Sequence, residues 1–592
     1  MTRPAVVALA FVALAAQRPV TAQTPAPAAA VRTQDWVARS NTNARILIAV
    51  VARLSPESAG RMGVDGLDEA ITDYSDGYEQ RAIDANREAE KALRDALPSA
   101  GDPRVRQDLE IMIEAAQDNA KSVEISRSLV VPFFNVGSVV FNGVRALLDD
   151  QVPSARRQAA LVRLRKYIGD VPGTTPFAKQ AEAIMRERMK NTALAMPSKA
   201  EVQRALADSA SFVDGVTELF KKYQIDGYET PCASFTAQMA LYDAFLRTAV
   251  LPRARADFRL PPALYAFGLR RYGVDIGPQE LVTAAHKAFD EIQGEMQTVA
   301  ASVGKARGLT VTDYRDVIRE LKKEQLVGDA ILPHYQKRLT EIEAIIRREH
   351  LVTLPARQAR IRLASAAETA ASPAPNMRPP RMLGNTGEQG EFVLPLNMPT
   401  TDGKTLRMDD FTFAAASWTL TAHEVRPGHE MQFAGMLEAG VSVARALFSF
   451  NSANVEGWGL YSELVMQPYL PPEGQLIALQ HRLLRAARAY LDPELQAGKI
   501  TPEQALAVLS KDVVLSEGMA RQEVDRYTFR MPGQATSYFY GFSKLVEIRT
   551  DIERALGPRF NAQEFHDFIL SQGLLPPRLM REVVVDHFAA MP

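Results

Sequence analysis

A histidine followed at once by a glutamate, with a second histidine a few residues on, is the beginning of a divalent-metal site. In this 592-residue chain the pattern stands at Thr421-Ala422-His423-Glu424-Val425-Arg426-Pro427-Gly428-His429. In the H-E-x-x-H arrangement of zinc hydrolases the two imidazoles lie four residues apart on one helix face, and the glutamate between them serves as base. Here the histidines are six apart. Six positions carry the chain about 240° around a regular helix, so an unbroken helix would point the two rings apart. Pro427 has no N–H to give to the His423 carbonyl, and Gly428 tolerates backbone angles that other residues avoid. A Pro-Gly bulge would return His429 to the face of His423. The alternative is two histidines that cap a broken helix and bind nothing.

A catalytic zinc site needs a third protein ligand and keeps one position open. Glu456 follows His429 by 27 residues, room for a helix, a turn and the start of another helix. Glu456 and Glu463 are seven apart and share a helix face. Carboxylates beside Val455, Trp458, Leu460 and Tyr461 are poor core material unless a cation meets them. Glu456 is the expected metal ligand. Glu463 is expected to hold an imidazole N–H from behind, with an ordinary salt bridge as its alternative. A third segment, Arg526–Tyr538, opens the last long helix. A tyrosine hydroxyl there could donate to an oxyanion. Gln534 or Arg530 could bind a substrate carbonyl or carboxylate, and Arg426 is a second candidate cation. Tyr527 is a further candidate in this segment, although it and Tyr540 can equally pack. The remaining histidines, His286, His334, His350, His481, His566 and His587, have no metal-like spacing and read as surface or capping residues.

The elements that must position these groups are helices. Ala82, Ala85, Ala89, Leu93 and Ala96 form an apolar stripe of helical period, as do Leu109, Met112, Ile113 and Ala116. Leu281, Ala284, Ala288, Phe289, Ile292 and Met296 form a third, with Pro278 where a first-turn proline belongs. Leu339, Ile342, Ile345 and Ile346 form a fourth. Tyr538, Phe542, Leu545 and Ile552 form a fifth, stopped by Gly557-Pro558. Strand candidates are few: Leu351–Leu354, Ile361–Leu363 and Phe392–Leu396. Between them Ser372–Gly390, rich in proline, glycine and serine, reads as a long loop. The expectation is a mostly α fold, a large multi-helix body with a small β element before the metal motif. Residues 34–592 are expected to form one large metallohydrolase domain, with two lobes around a cleft as a variant.

Composition narrows the classes. The 69 Lys and Arg against 70 Asp and Glu leave a net charge of −1, no electrostatic footprint for nucleic acid. With Cys232 alone, intramolecular disulfides and Cys-rich zinc sites are excluded, so any zinc site must use histidine and carboxylate. Residues 1–22 read as a signal peptide: Arg3, the apolar run Ala5–Ala16, and Val20-Thr21-Ala22 as the cleavage site. Residues 23–33 are Ala/Pro-rich and read as a disordered tether. No cysteine sits near the cleavage point, so a lipid anchor is not expected, and no later stretch is apolar for about 18 residues, so neither is a permanent membrane anchor. The expected location is outside the cytoplasm, periplasmic in a Gram-negative source and secreted otherwise.

Three ordered motifs give the chain a family likeness: His423-Glu424-x-x-Pro427-Gly428-His429-x-x-Gln432, then Glu456-Gly457-Trp458-Gly459-Leu460-Tyr461-Ser462-Glu463, then Pro532-Gly533-Gln534-Ala535 leading to Tyr538. Together they resemble the bacterial domain-of-unknown-function family numbered 885. Ser55–Ala59 with Gly63 and Asp65 fits its start, and Phe565-His566-Asp567 with Leu575-Pro576 fits its end. The resemblance implies a mostly helical protein similar in plan to the helical gluzincin peptidases. It implies one Zn²⁺ on His423, His429 and Glu456, with Glu424 as base and Tyr538 near the oxyanion. Many relatives carry another histidine after the Pro-Gly-His run, where this chain has Glu430. The resulting expectation is a zinc metallopeptidase acting on short peptides. The other classes are a binding protein that keeps the fold and metal without catalysis, and a zinc hydrolase of non-peptide amides or esters.

Overall fold

The computed structural model describes residues 35–590 except 373 and 400–404. The signal-peptide and tether segments, 1–22 and 23–33, lie outside the described residues. The fold is mostly α. The five apolar stripes lie on the helices Tyr78–Ala96, Pro103–Leu129, Pro278–Arg307, Ile331–Arg348 and Thr536–Leu556, each with its stripe turned largely inward. Pro278 is the first residue of its helix, where its missing N–H costs nothing. Among the described residues no helix is long and apolar enough to cross a membrane.

The β element is small. Strands β1 (Arg360–Leu363), β2 (Asn376–Arg378) and β3 (Glu391–Leu394) form a sheet of order β1-β3-β2. β1 runs parallel to β3 with Ile361 opposite Phe392, and β2 runs antiparallel with Met377 opposite Phe392. β4 (Asn397–Pro399) and β5 (Thr405–Arg407) form a separate antiparallel pair. Three boundaries differ from expectation. β3 stops before Pro395, which cannot donate to a ladder. The stretch expected to be all loop contains β2. Leu351–Leu354 is not a strand, because its polar groups are taken by side chains of the helix Ala562–Ser571. The Leu351 carbonyl accepts from His566 Nδ1 at 2.7 Å, and the Thr353 N–H donates to Asp567 at 2.9 Å.

Two helix contacts place the site. The long helix Pro472–Gln496 packs along Pro278–Arg307, burying Leu476, Ile477, Leu483 and Leu484 with Leu281, Ile292 and Met296. The helix Ser452–Met466 crosses Thr536–Leu556 at glycines. A Cβ on Gly457 would lie 2.5 Å from the Gly541 carbonyl carbon, and one on Gly541 would lie 1.8 Å from the Ala453 oxygen. Only two bare backbones can meet this closely. The crossing brings Tyr538, one turn before Gly541, beside Glu456.

Candidate metal centre

The six-residue spacing is absorbed by a break in the helix. The first segment, Ala416–Glu424, ends at Val425, and a second, His429–Ala439, begins after a cis Arg426–Pro427 peptide. A Cβ on Gly428 would fall 1.9 Å from the His423 oxygen and 2.4 Å from the Ala422 oxygen, so the bend accepts only glycine. Trp458 Nε1 donates to the Pro427 carbonyl at 2.9 Å and ties the bend to the next helix. Arg426 clamps it from the other side, donating to Glu430 at 2.9 Å, to Glu343 at 2.5 Å and to the Arg357 carbonyl at 2.5 Å. It is 3% exposed. Arg426 is therefore a fastener of the bend, not a cation open to a substrate carboxylate. Glu430 is its fully buried partner.

With the bend in place the two imidazoles meet edge to face, ring centroids 4.6 Å apart. One ligand atom each from His423, His429 and Glu456 lies within 4.8 Å of the others. Glu456 Oε2 stands 3.2 Å from His429 Nε2 and 3.6 Å from His423 Nε2. His423 Nδ1 lies 2.8 Å from Glu463 Oε1, and a carboxylate there makes Nδ1 the protonated nitrogen and leaves the Nε2 lone pair facing Glu456. Nδ1 of His429 has no partner among the described residues. Burial alone would raise the Glu456 carboxyl, but the two imidazoles hold it well below the usual carboxylate range. Gly459 leaves the space the rings occupy: a Cβ there would lie 2.7 Å from His423 Cε1 and 2.8 Å from His429 Cε1.

Glu424 is 6% exposed, and among the described residues its carboxylate makes no hydrogen bond. Burial pushes it up to about 8, with His429 opposing the shift. It faces a cleft of about 720 Å³ that also touches His429, Glu456, Gln534 and Tyr538, with Phe133, Phe450, Phe529 and Met531 along its apolar wall. The Tyr538 ring lies parallel to His423 at 6.2 Å, and its hydroxyl accepts from Arg526 Nη2 at 2.9 Å. Because a guanidinium only donates, the Tyr538 proton remains to be given elsewhere. Gln534 accepts from Arg526 and donates to Ser452 at 2.8 Å and to Glu456 at 3.4 Å, so it positions the Glu456 carboxylate from the cleft wall. Arg530 lines the same cleft. Tyr527 does not reach it: fully buried, it donates to Glu523 at 2.7 Å and packs in the core.

Behind the centre lies a buried polar row that local spacing did not flag. His481, Arg485, Arg488 and Asp492 occupy one buried face of the helix Pro472–Gln496. Glu463 accepts from Thr419 Oγ1 at 2.5 Å besides His423, and has Arg485 at 3.3 Å and His481 Nδ1 at 3.6 Å as neighbours. Burial alone would raise Glu463, but Arg485 and the two imidazoles hold it well below its usual range. Arg488 makes a two-pronged pair with Glu523 at 2.7 Å on each arm, and its guanidinium lies 4.5 Å from the Tyr538 ring centroid. Asp492 accepts the Gly533 N–H at 2.8 Å and fixes the turn ahead of Gln534. His481 and His566, which read in the sequence as surface or capping residues, are both buried. The signal for the row was present as the 4-3-4 spacing of its polar residues on a greasy helix.

The sequence profile described as "Bacterial protein of unknown function (DUF885)" matches residues 56–584. Comparison with the curated proteins finds no match. Among solved structures the fold is similar to that of a candidate lipoprotein from Colwellia psychrerythraea, with a TM-score of 0.74 at 20% identity, over 93% of this chain and 99% of that one. A candidate lipoprotein of unknown function from Shewanella oneidensis gives 0.67 at 18% identity, over 93% of this chain and 100% of that one.

Proposed function

The chain belongs to the DUF885 family of bacterial proteins of unknown function, and from that premise we propose that it is a zinc-dependent hydrolase, a metallopeptidase of short peptides. The observation that carries the reading is the meeting of two imidazole lone pairs and a carboxylate oxygen beside Glu424, a buried carboxylate with no hydrogen-bond partner among the described residues. Tetrahedral zinc with bonds of about 2.0–2.2 Å sets its ligand atoms about 3.3–3.6 Å from one another. The 3.2 and 3.6 Å separations of Glu456 from the two Nε2 atoms fit that requirement. Three protein ligands rather than four also suit a site that keeps a position open for chemistry.

His423, His429 and Glu456 would hold the ion, and its contribution when bound is Lewis acidity toward a water and a carbonyl oxygen. The chain's own residues supply the proton traffic and the geometry. Glu424, unpaired and lining the cleft, in its ionised form accepts the proton of the attacking water and passes it to the leaving amine. Tyr538, its oxygen already engaged by Arg526, donates its own proton to the developing oxyanion. Glu463 fixes the tautomer and orientation of His423. The apolar rim, with Phe450 at 59% and Met531 at 44% exposure, suits side chains of a peptide. The N-terminal sequence and the lipoprotein names of the two structural neighbours support export, to the periplasm in a Gram-negative source.

The test is hydrolysis of a short-peptide library by the zinc-loaded protein and by Glu424→Gln. The native protein should cleave, and the variant should keep zinc and lose turnover. Equal cleavage by both would remove Glu424 as base, and no cleavage of any peptide by the zinc-loaded native protein would overturn the peptidase reading.

A further inference from the structure

The arginines of the cleft and of the row behind it differ in how fully they are paired. Arg526, Arg485 and Arg488 each hold a carboxylate or hydroxyl. The side chain of Arg530, on the wall of the same cleft, makes no hydrogen bond among the described residues. Its nearest acid, Asp208, is 3.6 Å away, and its buried Nε and Nη2 have no partner. Beside it Arg204, 6% exposed, spends Nε on Asp208 at 3.0 Å and leaves Nη2 unpartnered. Among the described residues Asp208 is thus the one carboxylate within 4 Å of both guanidinium groups, with Asp525 farther off. Burial raises the nearby acids Asp208 and Asp525, and it lowers Arg530. Buried guanidinium N–H groups short of acceptors are costly unless an anion completes them. Arg530 lies four residues beyond Arg526 in one helical turn, and both line the cleft that reaches Glu424 and His429.

Resting on the hydrolase reading above, we propose that Arg530, supported by Arg204 and Asp208, is the anchor for the free C-terminal carboxylate of the peptide substrate. The class of substrate is then a short peptide acid, cut at a fixed distance from its C-terminus. A planar guanidinium meets a carboxylate with two parallel hydrogen bonds, which a carboxamide cannot reproduce.

The experiment compares N-acetylated tripeptides as free acids and as C-terminal carboxamides. Binding is measured by calorimetry on the zinc-loaded Glu424→Gln protein, and cleavage on the zinc-loaded native protein. The acid should bind at least about tenfold more tightly than the amide. Arg530→Gln should erase that preference while leaving amide affinity in place, and Arg530→Lys should restore part of it. Equal affinity of the native site for acid and amide would overturn the anchor, as would an Arg530→Gln variant that keeps the preference or weakens both ligands alike. If the native protein cleaves peptides without regard to the terminus, the anchor fails and the hydrolase reading stands. If no peptide is cleaved yet the acid preference depends on Arg530, the anchor stands and the hydrolase reading fails.

Discussion

Gly459→Ala separates metal binding from folding. Gly459 lies one turn beyond Glu456 on the same helix, and its missing side chain is the room in which both imidazoles sit. An added Cβ would be 2.7 Å from His423 Cε1, 2.8 Å from His429 Cε1 and 2.9 Å from His423 Nε2. Comfortable carbon contacts are about 3.5–4.0 Å, so each ring must retreat by roughly 0.7 Å or more. Metal–ligand distances tolerate only about 0.2 Å. The zinc affinity of the variant should therefore fall by at least about 10–100-fold, the range seen when ligand orientation is disturbed. Helix propensity works the other way, favouring alanine by about 1 kcal/mol. The metal-free variant should thus melt within a few degrees of the native protein. Gly435→Ala is the control: it sits in the helix His429–Ala439 with nothing within 4 Å of an added Cβ, and should keep zinc affinity and gain stability. The assay is competition for zinc against a chromophoric chelator, paired with thermal melts of the metal-free proteins. Native zinc affinity in Gly459→Ala would refute the placement of the two imidazoles.

Other outcomes follow from the same geometry. Glu463→Gln removes the charge that orients His423 and should weaken zinc binding about 10–100-fold by the same competition assay, with unchanged affinity counting against the orienting role. Tyr538→Phe should keep one zinc per chain and lower kcat for a cleaved peptide by about 10²–10³ with KM little changed; a rise in KM alone would make Tyr538 a binding residue instead. Burial, aided by Arg549 and opposed by its bond to the Leu351 carbonyl, lowers His566 to about 4 from 6.5. Between those pH values the unfolded chain binds the proton and the folded one does not. Stability should therefore fall by about 3 kcal/mol as the pH drops from 6.5 to 4. Urea midpoints across that range check it, and His566→Phe should flatten that part of the profile.

The fold class was legible because apolar stripes of helical period are long and unambiguous, as in Pro278–Arg307. The short strands were less so: Leu351–Leu354 has strand-like residues, yet its backbone partners are His566 and Asp567, more than two hundred positions away. At the centre, residue types and the Pro-Gly break pointed to His423, His429 and Glu456. Arg426 is a candidate substrate cation in the sequence because nothing local shows that Glu343, Glu430 and the Arg357 carbonyl surround it. His481 and Arg485 were passed over for the converse reason, since their partner Glu463 stands on another helix. Glycines carried more information than their number suggests, with Gly428, Gly457, Gly459 and Gly541 each marking a place where backbone or imidazole approaches too closely for a side chain.

The central claim is that His423, His429 and Glu456 together hold one catalytic zinc ion. Its most direct test is elemental analysis of the metal-stripped protein after equilibration with zinc and removal of the excess, alongside Glu456→Gln. The account predicts one zinc per chain in the native protein and none retained by the variant. A native protein that retains no zinc, or a Glu456→Gln variant that retains a full equivalent, would contradict it.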